Sequence, residues 1–141
     1  MRNAEQTIGN LIDSQSVSFI GSIDDDGFPN IRAMLTPRKR NGIKEIWFST
    51  NTSSMKVAQF IKNPKACLYF YDKRFYRGVR LIGTMEVLTD PKSRELVWRD
   101  GDTMYYPEGI NDPDFTVLKF TATKGRFYHD FKNENFDVCQ S

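Results

Sequence analysis

Cysteine and histidine are nearly missing from this 141-residue chain, which carries two of the first and one of the second. Cys67 and Cys139 stand far apart and His129 is the sole imidazole, so a structural zinc site has too few ligands and no metal is expected. Long apolar runs are missing as well. No stretch approaches the roughly 20 apolar residues that cross a bilayer, and the opening segment 1–14 has no signal-peptide centre, so a soluble cytoplasmic protein without a membrane partner is expected. Nor is there an excess of charge: 20 basic residues against 18 acidic give a formal net charge of +2, which argues against nucleic acid as a partner. Any anion site must therefore be local. Glycine-rich phosphate loops and dinucleotide fingerprints do not occur, and Asp24-Asp25-Asp26 lacks the spacing of a calcium loop and reads as turn chemistry.

Aromatic residues are what the chain has in quantity. Eleven Phe and six Tyr within a 39% hydrophobic composition suffice for a core, and the length suits one domain over 1–141. Apolar Ile8, Leu11 and Ile12 recur at helical spacing in 4–14. Strand-like 17–23 then reaches Asp26-Gly27, a tight-turn signal, and 30–36 returns with Ile31, Ala33 and Leu35 on one face and Arg32, Met34 and Thr36 on the other. A second turn at Asn41-Gly42 precedes strand 45–50, so the start reads as a meander, with Arg38-Lys39-Arg40 as a solvated loop. A helix follows with Val57, Ala58, Phe60 and Ile61 as its apolar face, ended by Asn63-Pro64. Strands are expected over 66–72 and 75–88, the second bent near Gly78 or Gly83, and Cys67 reads as an inert buried thiol. Pro91 opens a helix to about Arg99. Two last strands, 117–121 and 126–128, are expected around a turn at Lys124-Gly125, before a polar tail over 132–141. The pattern predicts a mostly β fold, an antiparallel barrel of six to seven strands with short helices.

Chemistry concentrates where Trp47-Phe48-Ser49-Thr50 runs through Asn51-Thr52-Ser53-Ser54 into a helix. Unpaired amides and the helix dipole favour an anion there; Thr50, Ser53 and Ser54 add hydroxyl donors, and Lys56 adds a charge. The bland alternative is an ordinary helix cap beside a solvated lysine. Arg32, in an otherwise apolar strand, faces either water or a buried anion. His129 has Asp130 beside it but no nucleophile, so no hydrolytic triad is visible and no catalytic residue is assigned.

The order of Gly27-Phe28-Pro29, Arg32-Ala33-Met34, Ile46-Trp47-Phe48-Ser49-Thr50, Ser54-Met55-Lys56 and Asn63-Pro64-Lys65-Ala66 resembles the pyridoxamine-phosphate-oxidase-like, FMN-binding split barrels, most closely their general-stress-protein-26 branch. The resemblance implies an FMN phosphate held by Arg32 and Lys56 with hydrogen bonds from Thr50 and Ser54. It implies that Ala33, Met34, Leu35 and Ser49 run along the ribityl chain and ring, and that Gly78 and Tyr128 stand at flavin-contacting positions. It also implies a homodimer with flavin at the interface and an oxidoreductase whose substrate and electron donor are unassigned. The Arg-x-His motif that authentic pyridoxamine-phosphate oxidases carry after the last aromatic strand is replaced by His129-Asp130-Phe131-Lys132-Asn133, which argues against the vitamin-B6 reaction. A non-catalytic flavin-binding or sensing module remains open, as does a barrel holding F420 or haem.

Overall fold

The computed structural model describes residues 4–138. Helix α1 (Ala4–Ser14) leads into the hairpin β1 (Val17–Ile23) and β2 (Pro29–Leu35), then β3 (Lys39–Asn41) and β4 (Glu45–Asn51). Helix α2 (Met55–Lys62), β5 (Lys65–Asp72), β6 (Arg77–Leu88), α3 (Pro91–Val97), β7 (Phe115–His129) and β8 (Lys132–Asp137) complete the order. The eight strands form one antiparallel sheet in the order β2-β1-β5-β6-β7-β4-β3, with β8 added beside β7. This is the mostly β, antiparallel barrel that the turn and strand signals predict, in the split form that the resemblance implies, with one strand more than the six to seven expected.

Local chemistry explains most elements. Gly27 at φ 85° and Gly42 at φ 58° make the two tight turns, and the Asp24 carboxylate accepts the Asp26 and Phe28 amides at 3.0 and 2.8 Å. Asp90 caps α3 by accepting the Ser93 amide at 3.0 Å, ahead of Pro91. The expected bend in β6 falls at Gly83, where pairing with β7 slips between Ile82 and Gly83 and leaves Thr123 over. A Cβ on Gly83 would sit 1.9 Å from the Thr121 carbonyl oxygen, so only glycine permits this approach.

Several expectations are corrected. Residues 132–137 are a paired strand, not a tail, because Phe136 turns inward onto the core while its neighbours face water. No turn occurs at Lys124-Gly125: β7 is continuous, and Gly125 is flat because the Phe136 ring lies against it. Arg38-Lys39-Arg40 is not a solvated loop, since Arg38 makes a buried bidentate pair with Asp102 at 2.7 and 3.0 Å and Arg40 pairs with Asp13 at 2.7 Å. The opening is no meander either, because β2 and the β3–β4 hairpin lie at opposite ends of the strand order. Cys67 is half-buried on the outward face of β5 rather than in the core; Cys139 lies outside the described residues.

The main core joins Ile8, Leu11 and Ile12 of α1 and Val57 and Phe60 of α2 to the inward residues of the sheet. A smaller cluster gathers Trp47, Val97, Tyr106, Phe115 and Val117 beneath α3. Among the described residues no helix is long and apolar enough to cross a membrane.

Candidate functional site

Alternation along β2 sends Ile31, Ala33 and Leu35 outward and Arg32 and Met34 inward. The half-buried Arg32 guanidinium donates to the Ser22 hydroxyl at 2.9 Å and to Gln59 Oε1 at 3.2 Å. Both acceptors are neutral, and Gln59 also accepts from Ser22, so α2 and β1 together orient the arginine. Lys56, in the first turn of α2, is likewise half-buried and forms no ion pair or hydrogen bond among the described residues. Burial, and then the adjacent Arg32 charge, lower the Lys56 pKa below the ordinary lysine range. Burial also lowers that of Arg32. Two like charges therefore share one corner without a carboxylate between them.

Hydroxyls complete this corner. Ser54 occupies the N-cap of α2 in extended conformation, yet its side chain makes no capping bond and its buried Oγ has no partner. A buried hydroxyl left so costs stability unless something else meets it. Thr50 is buried at the end of β4. The β4–α2 loop is held from outside by Asp114, which accepts the Ser53 amide at 2.9 Å and the Asn51 side-chain amide at 2.6 Å. Ser53 is exposed, and both its amide and its side chain hydrogen-bond Asp114, so it is turned to the loop's own support.

A cleft of about 220 Å³ separates β2 from β4, lined by Met34, Leu35, Ser49 and Thr50 with Tyr105 and Tyr106 among others. Burial pushes the Tyr106 phenol pKa up, and the phenol hydrogen-bonds the Ser49 side chain. The structure thus brings Arg32, Lys56 and the 49–54 segment to one region, with Met34 and Leu35 along it. Gly78 and Tyr128 do not line this cleft; they pair with each other across β6 and β7. Sequence reasoning missed Ser22, Gln59, Tyr106 and Asp114, because each contributes through a tertiary approach with no local pattern. The His129 ring nitrogens contact Asp130 at 3.1 Å and Glu134 at 3.0 Å, and no group of three side chains able to hold a metal ion occurs among the described residues.

An antiparallel split barrel with a cationic corner beside the opening between β2 and β4 is the class that fold and site define. Residues 4–129 match the family described as pyridoxamine 5′-phosphate oxidase, and the chain belongs to that family. Its fold is similar to that of a Clostridium acetobutylicum protein related to general stress protein 26, of the pyridoxinephosphate oxidase family, with a TM-score of 0.88 and 41% identity over 98% of this chain and 96% of that one. A pyridoxine/pyridoxamine 5′-phosphate oxidase of Rhizobium leguminosarum bv. trifolii is 35% identical over 75 residues, 52% of this chain and 35% of that protein. The chain thus matches about a third of the length of such curated relatives. A heme-binding protein from Mycobacterium smegmatis shares the fold, with a TM-score of 0.76 at 15% identity over 95% of this chain and 57% of that one.

Proposed function

We propose that this chain is an FMN-binding flavoprotein, and an oxidoreductase, whose cofactor phosphate is held by Arg32 and Lys56 with hydrogen bonds from the Thr50 and Ser54 hydroxyls. The observation that carries the reading is the pair of half-buried cations, adjacent and without a carboxylate, beside the unpartnered Ser54 Oγ. A phosphate dianion offsets the mutual repulsion, replaces the lost solvation of both cations and accepts from the orphan hydroxyl. A helix N-terminus adds its amides and dipole to the same charge.

From that anchor the ribityl chain and ring follow the cleft past Met34, Leu35 and Ser49, beside the backbone of Ala33. Gly78 and Tyr128, away from this cleft, serve the flavin of a second copy in a homodimer. The outward apolar residues Val17, Phe19, Ile31 and Leu35 on β1 and β2 supply the association surface. Bound flavin supplies hydride and electron transfer; the protein positions the ring, tunes it and excludes water. The vitamin-B6 reaction is not part of this proposal, since the Arg-x-His motif is replaced.

Titration of the purified protein with FMN, followed by visible absorbance, tests the site. Charge-assisted contacts contribute roughly 1.5–3 kcal/mol each, so Arg32→Ala and Lys56→Ala are each expected to weaken FMN by about tenfold or more. Unchanged affinity in both variants rejects the site, and an F420 or haem spectrum in the extracted pigment rejects the cofactor. Reduction of bound FMN by a nicotinamide and reoxidation by an acceptor supports an enzyme; a flavin inert to both indicates a sensing or storage module.

A further inference from the structure

Arg80 and Arg126 stand directly opposite each other where β6 pairs with β7, on the outward face of the sheet and so on the other side from Arg32. Like charges in register repel, and cross-strand pairs of this kind are normally avoided. Neither guanidinium forms an ion pair among the described residues. Arg126 donates from Nε to Asn135 Oδ1 at 2.9 Å, while Arg80 has no hydrogen-bond partner among the described residues and its Nε is buried. Two nearby acids are committed elsewhere, since Glu134 contacts His129 and Asp72 holds Arg74 and Arg77, and Asp137 stands one row along, opposite Lys124.

Different chemistry flanks the pair on its two sides. In one direction Gly78 leaves its face bare, and the Tyr69 hydroxyl occupies the place a side chain there would take, 2.1 Å from a Cβ at that position. Tyr128 continues that row across β7. In the other direction, the next outward row is Cys67 and Ile82, part of a largely apolar groove of about 800 Å³ that runs on to Ile31, so a second copy seated on β1 and β2 would roof it.

We propose that Arg80 and Arg126 form a binding site for the carboxylate of a small apolar acid whose body enters the groove lined by Cys67 and Ile82. Arginines at facing register positions offer planar N–H donors to the two oxygens of a carboxylate, and the groove removes the rest of the molecule from water. The assignment stands independently of the flavin pocket. If the flavin reading also holds, Tyr128 places the acid next to a second copy's isoalloxazine, which makes it a candidate substrate.

Benzoate is the probe, titrated into the full chain and followed by amide chemical shifts in NMR, with and without FMN. Saturable shifts along β6 and β7 are expected, with benzoate weakened by about tenfold or more in Arg80→Gln and in Arg126→Gln, and absent with neutral benzamide. FMN affinity is expected to be unchanged in both variants, so failure of the flavin pocket and failure of this site are read separately. Benzoate affinity indifferent to both substitutions overturns the proposal. So does stronger binding of inorganic phosphate than of benzoate, or loss of dimer in both variants without benzoate binding, which assigns the arginines to a second copy.

Discussion

At the scale of single residues, the Lys56 ammonium is the group whose charge decides most. Burial and Arg32 lower its pKa from 10.5, so the folded chain without ligand binds fewer protons than the unfolded chain just below that pH. The sign follows: stability of the ligand-free protein rises as pH climbs through the lowered value, while affinity for a phosphate dianion falls there. Affinity also falls below about pH 6, where a phosphate monoester loses its second charge. FMN titrations from about pH 5 to pH 10 are expected to give a plateau with two falling edges, and Lys56→Arg to remove the alkaline edge. An alkaline edge that persists in Lys56→Arg assigns the titration to another group. That Arg32 lies on the opposite side from Ile31 and Leu35 was legible from period-two alternation; that its side is the inward one was not, because apolar residues normally take the inside. Gln59 was not, since a glutamine within a short helix reads as a solvated residue until α2 is seen lying against β1.

Elements were legible where the pattern is local and obscure where a partner strand decides. Both glycine turns, the span of α2 and the bend in β6 followed from spacing and residue type, but of the expected α2 face only Val57 and Phe60 are buried while Ala58 and Ile61 are exposed. Lys124-Gly125 misled because glycine there answers the Phe136 ring rather than a turn. Residues 132–137 looked like a tail because only Phe136 of that strand is turned inward. At Gly83 the demand is backbone contact, with the Thr121 carbonyl oxygen in the place of a Cβ. Gly83→Ala is therefore expected to destabilise the fold by about 1–3 kcal/mol, seen in urea unfolding as a lower midpoint at unchanged slope. An unchanged midpoint shows that the bulge relaxes freely.

For the whole molecule, the unusual feature is a strand worn inside out: β2 keeps its arginine within and leaves Ile31 and Leu35 71% and 64% exposed. Such a face asks for a second surface. Sedimentation of the parent chain is expected to give a dimer, and Ile31→Lys a monomer of unaltered thermal stability below the association threshold, because that side chain makes little contact within its own chain. A parent that sediments as a monomer at every concentration sets the dimer aside. The barrel wall also has a seam, since β2 and β4 face each other across the cleft without a shared ladder among the described residues. Parting along it breaks no interstrand amide pairing, so a large planar guest can enter without local unfolding. A guest held between Met34 on one lip and Thr50 on the other is expected to act as a clasp, so that tight occupancy raises the melting temperature in proportion to the logarithm of its concentration.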